Sequence, residues 1–193
     1  MIPNPKCELN YSKDYELLIA VMLSAQCTDK RVNEVTSVLF SNYDIYGLSK
    51  AKKSDIEKII RSVGTSSRKS EFVLKIAQSL VENYNGVVPN DREYLESLPG
   101  VGRKTCNVVL SNLYNVPCIA VDTHVSRVSK RLGIAKEKDD VLVIEKKLNK
   151  YFPLDKLNRL HHQMVLFGRY YCKAKNPECM NCKLKYICKK KWL

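Results

Sequence analysis

Four cysteines near the C-terminus, Cys172, Cys179, Cys182 and Cys188, fall within seventeen residues at the spacing C-x6-C-x2-C-x5-C. Thiolates this close can converge on one metal centre, and the spacing alone leaves zinc and an iron–sulfur cluster both open. A disulfide pair is the weaker alternative in a reducing compartment. Lys183 and Lys185 sit in the loop between two of the thiols. A metal there would fix a basic loop against phosphate, a structural rather than a catalytic task. Cys7, Cys27, Cys106 and Cys118 are scattered and read as small apolar side chains.

A second group surrounds Leu98-Pro99-Gly100-Val101-Gly102. Two glycines in a short connection allow a tight turn with exposed N–H groups, and a helix beginning there adds its own unpaired donors. Such a turn is either an ordinary helix–helix connection or an anion site for a phosphate. Arg103 and Lys104 follow in the first turn of the helix. At about 100° per residue, Val101, Thr105, Val108 and Val109 share a face, with Lys104 at its border and Asn107 turned elsewhere. Partial desolvation, the helix N-terminus and neighbouring Arg103 all favour the neutral amine that a nucleophilic lysine needs. The alternative is an exposed lysine that binds phosphate.

Asp122 precedes another helix in Val121-Asp122-Thr123-His124. It can cap that helix or present a carboxylate to a cationic sugar transition state. Both roles coexist only if it stays accessible. His124 is a possible substrate contact, although a lone histidine is more often structural. Gln26 stands at a junction of two helices in Ser24-Ala25-Gln26-Cys27-Thr28-Asp29 and is bland by itself.

The elements that position these residues are helical. Leu17–Leu23 lies in a helix for which Ser12 is a candidate cap, and Thr28 caps the next. Further helices are predicted from Ser54 to Ile60, over 67–84, from Asn90 to Leu98, from Val101 to Tyr114, from Thr123 to Leu132, and over 140–151 and 155–171. Gly64, Asn85-Gly86 and Pro99-Gly100 punctuate them. No segment alternates with a period of two, so the expected class is all-α, with two helical lobes meeting near Pro117. The formal net charge is +13, from 33 basic and 20 acidic side chains, which points to a polyanionic partner. Residues 169–193 hold eight Lys or Arg against Glu178, a net +7 of that total. No apolar run approaches a membrane span and no signal pattern opens the chain, so an intracellular protein is expected.

The motifs LSAQCTD (23–29), LPGVGRKTCNVVL (98–110) and VDTHVSRV (121–128), with the four-cysteine tail, resemble the endonuclease III family of DNA glycosylases. They occur in the family's order and span nearly the whole chain. The resemblance implies a six-helix lobe over 1–117, with a helix-hairpin-helix at about 91–114, and a [4Fe–4S] cluster lobe over 118–193. It implies a groove between them for duplex DNA. By motif, Lys104 resembles the nucleophile, Asp122 its partner, and Cys172, Cys179, Cys182 and Cys188 the cluster ligands. Gln26 matches the glutamine that fills the gap left by a flipped base. Gly100, Val101, Gly102, Arg103, His124, Lys183 and Lys185 are the further expected DNA contacts. The implied enzyme removes oxidised or ring-damaged pyrimidines and cleaves at the abasic site. It would act as a monomer, in the nucleoid if bacterial. A glycosylase for mispaired bases fits less well because those relatives generally lack a lysine at this position. A non-catalytic, metal-stapled DNA-binding module would explain the charge and cysteines, but makes Lys104 and Asp122 accidental.

Two departures stand out. The match begins almost at Met1, whereas many members carry a further N-terminal helix on the cluster lobe, so apolar surface is expected to be exposed there. Thr65 follows Gly64 where members commonly have a leucine that wedges into the duplex. Threonine is smaller and more polar, so discrimination between damaged and opposing bases is expected to be weaker. Thr65→Leu should sharpen it in excision assays against each opposing base; unchanged preference and rate would overturn this.

Overall fold

The computed structural model describes residues 2, 3 and 5–189, and every regular element among them is a helix. The all-α expectation holds there. The chain divides into two compact units, one Glu8–Tyr114, the other joining Met1–Cys7 to Asn115–Leu193. Among the described residues, no helix is long and apolar enough to cross a membrane.

The first unit holds α1 (Asp14–Leu23), α2 (Asp29–Asn42), α3 (Ile45–Lys50), α4 (Lys53–Ile59), α5 (Ser66–Tyr84), α6 (Arg92–Ser97) and α7 (Arg103–Tyr114). Everything in α1 from Tyr15 onward is buried. A helix apolar all round must be surrounded, and α2, α5 and α7 enclose it. Ser12, the expected cap of α1, instead donates its N–H to Glu16 at 2.7 Å. The Lys13 N–H goes to the same carboxylate oxygen, so the acid caps the helix from inside its first turn. Thr28 does cap α2, accepting from the Arg31 N–H at 3.3 Å. The short α3 was not foreseen; Asp44 starts it by accepting from the Gly47 N–H at 2.7 Å, and α5 covers it.

The connection between α6 and α7 is built tightly. Asp91, not Asn90, caps α6 by accepting from the Tyr94 N–H at 3.0 Å. Gly100 has φ +79°, and a Cβ there would lie 2.6 Å from the Phe72 ring. It is fixed twice, by conformation and by packing. A Cβ on Gly102 would meet nothing within 4 Å. The Gly102 carbonyl accepts the first α7 bond, from the Cys106 N–H at 2.9 Å, so the helix starts two residues later than predicted. Its buried face is Cys106, Asn107, Val109 and Leu110. Asn107 therefore points inward, against expectation. Arg92 makes that possible by donating to its amide oxygen at 2.8 Å, which also staples α6 to α7.

The second unit holds α8 (Thr123–Arg131), α9 (Val141–Tyr151) and α10 (Leu157–Tyr170). Its core gathers Ile119, Val125, Val128, Ile144, Leu148, Met164 and Phe167. At Gly168, α10 approaches α8 so closely that a Cβ would lie 2.8 Å from that of His124. The start of the chain, expected with the first lobe, is tied here: Arg159 donates to the Pro3 carbonyl and Gln163 to that of Ile2. An apolar hollow of about 640 Å³ opens among Val128, Ile134, Phe152, Leu160 and Ile187.

The two hairpin glycines should behave differently. Gly100→Ala is expected to cost about 2–4 kcal/mol in urea unfolding, from left-handed strain plus the ring clash. Gly102→Ala should cost no more than about 1 kcal/mol, the usual effect of alanine at an N-cap.

Candidate active site and metal centre

Gly102, Arg103 and Lys104 are all exposed at the start of α7. Intrahelical bonding begins only with the Cys106 N–H, so the first-turn donors form an electropositive helix end. Val101 contributes little besides its main chain: it is buried, and its N–H already binds the Leu98 carbonyl at 3.1 Å. Lys104 was expected at the border of the buried face. Because that face runs through Cys106 and Asn107 instead, Lys104 stands in the open, and the first unit alone does not desolvate it.

Asp122 is the N-cap of α8; its Oδ1 accepts from the Val125 N–H at 2.7 Å. The residue is half-buried and its second carboxylate oxygen makes no hydrogen bond among the described residues. One oxygen holds the helix and the other remains available. His124, the second residue of the same helix, is engaged: its Nδ1 lies 3.1 Å from an Arg127 guanidinium nitrogen. That guanidinium also donates to the carbonyls of Gly168 at 2.6 Å and Cys172 at 3.0 Å. Burial first, then neighbouring Arg131, pushes the Arg127 guanidinium below its ordinary value.

The four clustered cysteines line one cavity of about 320 Å³, together with Arg131, Phe167 and Lys185. Among the described residues no three His, Cys, Asp or Glu side chains are gathered tightly enough for a single ion. Four thiols around one cavity are a donor set that either zinc or a [4Fe–4S] cluster would accept. Burial raises the Cys179 thiol, and the other three thiols add to the shift. Arg131 closes the loop at both ends. Its buried guanidinium donates to Cys172 Sγ at 3.2 Å and to the Lys173 carbonyl at 2.7 Å. Its own carbonyl accepts from the Cys188 thiol and the Lys189 N–H. Lys183 and Lys185 are exposed on this loop. Lys190 and Lys191, counted in the basic tail, lie outside the described residues.

Gln26 and Thr65 are exposed on separate turns of the first unit, each with left-handed backbone, φ +57° and +46°. Joining those turns is a residue the motifs did not flag, Lys69. It is 6% exposed and bonded to three main-chain carbonyls. The signal was present: Lys69 stands on the stripe of Val73, Ile76, Ala77 and Leu80, where an amphipathic α5 should be apolar.

A helix-hairpin-helix with a lysine in the opening turn of its second helix, and a four-thiol loop in a second unit, define a protein of base excision repair. The chain matches the HhH-GPD superfamily of base excision DNA repair proteins over residues 19–154. Endonuclease III of Bacillus subtilis (strain 168) is 46% identical, over 98% of this chain and 87% of its own length. That of Escherichia coli (strain K12) is 42% identical, over 98% and 90%. A trapped Endonuclease III–DNA covalent intermediate superposes with a TM-score of 0.93 at 48% identity, over 98% of this chain and 89% of that one. A thermostable thymine-DNA glycosylase, 24% identical with a TM-score of 0.81, shares the fold. The chain belongs to the endonuclease III family. It is a DNA-binding base excision repair enzyme of the glycosylase and abasic-site lyase class.

Proposed function

We propose that Lys104 is the nucleophile of a bifunctional glycosylase acting on oxidised or ring-damaged pyrimidines in duplex DNA. The observation that carries this is its exposed amine in the first turn of α7, directly after a tight glycine turn at a helix N-terminus. A structurally similar endonuclease III has been trapped covalently on DNA, which supports attack by a protein side chain.

A damaged base must leave the stack before any side chain reaches its sugar, and weakened stacking or pairing lowers that cost. The neutral Lys104 amine forms a bond to C1′ as the glycosidic C1′–N bond breaks, and the departing base takes up a proton. The unengaged Asp122 oxygen stabilises the positive charge that builds on the sugar. Ring opening gives an imine, which acidifies the C2′ proton. Loss of that proton breaks the C3′–O bond and cuts the strand 3′ to the abasic site. The amine nitrogen can enter the same sequence at a sugar that has already lost its base.

The DNA contacts follow from chemistry. The main-chain donors at Gly100 and Gly102, with Arg103, hold phosphate, and Val101 shapes the turn between them, its own N–H being taken by the Leu98 carbonyl. Lys183 and Lys185 add a basic loop, while Gln26 fills the vacated position. His124 takes part through α8, where Arg127 already holds its ring. Cys172, Cys179, Cys182 and Cys188 would hold a [4Fe–4S] cluster, whose four iron–thiolate bonds brace the loop that presents those lysines. The protein acts as a monomer inside the cell.

Borohydride added during turnover of an oxidised-pyrimidine duplex should trap wild type covalently. Lys104→Ala should lose the adduct while keeping DNA affinity within about threefold, since only one phosphate-range cation is removed. A folded wild type that binds DNA and gives no adduct would point to a glycosylase without lyase chemistry or to a binding module; base release separates those two. For the metal centre, purified protein should carry iron and acid-labile sulfide in equal amounts. Cys182→Ser should lose most of both, and zinc in their place would overturn the cluster.

A further inference from the structure

Lys69 carries its amine into the first unit with no acidic partner among the described residues. Its ammonium has three donors, and three carbonyls meet them: Leu23 at 2.9 Å, Ala25 at 2.8 Å and Val63 at 2.9 Å. Leu23 is the last residue of α1, a helix with no basic side chain in its final turn. Its carbonyl-rich end therefore receives a cation from α5 instead. Ala25 lies in the following turn, one residue before Gln26. Val63 precedes Gly64 and Thr65. One buried ammonium thus joins the end of a central helix to two exposed turns distant in sequence. Burial pulls this lysine below its ordinary value, with Cys27 acting in the opposite direction.

The joined turns share an unusual property. Gln26, Gly64 and Thr65 all have left-handed backbone, at φ +57°, +67° and +46°. For a β-branched threonine that conformation is an outlier and persists only where the surroundings over-determine it. Both turns remain exposed at their tips while anchored from beneath. That is the arrangement of two rigid prongs on one base. Two elements that must enter a duplex at the same lesion have to hold a fixed separation, because small misplacement costs heavily in rate.

We propose that Lys69 is a positioning residue that sets the Gln26 turn and the Gly64–Thr65 turn as a pair, so that both engage the duplex when a base is extruded. This rests on the glycosylase function proposed above. Lys69 touches no reacting atom; it acts through the two turns. Its loss should therefore damage opening of the duplex far more than chemistry on a sugar with no opposing strand.

The test compares two substrates. On a duplex holding an oxidised pyrimidine, Lys69→Met should lower excision about tenfold or more. It should also lower the fluorescence rise of a 2-aminopurine placed opposite the lesion. On a single-stranded oligonucleotide with an abasic site, borohydride trapping through Lys104 should stay within about threefold of wild type. Lys69→Arg keeps a cation in the site but cannot aim one nitrogen at three carbonyls, and guards against a methionine variant that fails to fold. It should show the same substrate split with a smaller loss. Equal losses on both substrates, in either folded variant, would reduce Lys69 to general stability and overturn the proposal. So would an unchanged duplex rate and fluorescence. A wild type inactive on both substrates would instead defeat the glycosylase reading, and this proposal with it.

Discussion

A helix leaves its first donors and its last acceptors without partners, and much of what is singled out for function here stands at such an end. Lys104 and Gly102 open α7, and Asp122 opens α8. Gln26 follows α1, Thr65 precedes α5, and Cys172 follows α10. The N-terminal ends offer donors to anions or to a capping carboxylate. The C-terminal ends offer carbonyls, which two buried cations collect. Lys69 takes those after α1, and Arg131 takes those of the loop after α10. A buried cation is tolerable only when its donors are saturated, so these two residues hold their loops with little freedom to move.

This division clarifies the large positive charge. Most lysines are exposed and owe nothing to the fold; they supply a screened field suited to a phosphate backbone. Surface pairs such as Lys75 with Glu71 contribute little to stability. Lys69, Arg127 and Arg131 do the opposite work. They are spent on main-chain carbonyls, and in Arg131's case on a thiol sulfur, where replacement by a neutral side chain would strand several acceptors at once.

Much of this was legible in the sequence. Thr28 was readable as a cap, Asp122 sits where a cap residue precedes a helix, and the close cysteine spacing foreshadowed four thiols lining one cavity. What escaped depended on partners remote in sequence. Asn107 looked outward until Arg92, fifteen positions earlier, supplied its hydrogen bond. That inward turn rotates the buried face of α7 and brings Lys104 fully into the open. The six residues of α3 are too few to show a period. Lys69 was visible as a polar interruption of the α5 stripe, but its three acceptors come from two segments, one of them up to 46 residues away.

Asp122 shows how stability and chemistry coexist at one helix end. A cap needs a single oxygen, and the carboxylate has two. Binding the Val125 N–H fixes the orientation of the group, so the free oxygen points in one direction without further restraint. A serine or asparagine would cap α8 nearly as well, so the demand for a cap alone does not select a charge. The same reasoning applies across the helix ends. A left-handed threonine at residue 65 and a cationic clamp beneath it exceed what a turn needs to close. The role proposed for these turns supplies a reason: a turn pressed against DNA keeps its shape only if its anchoring resists displacement of the tip.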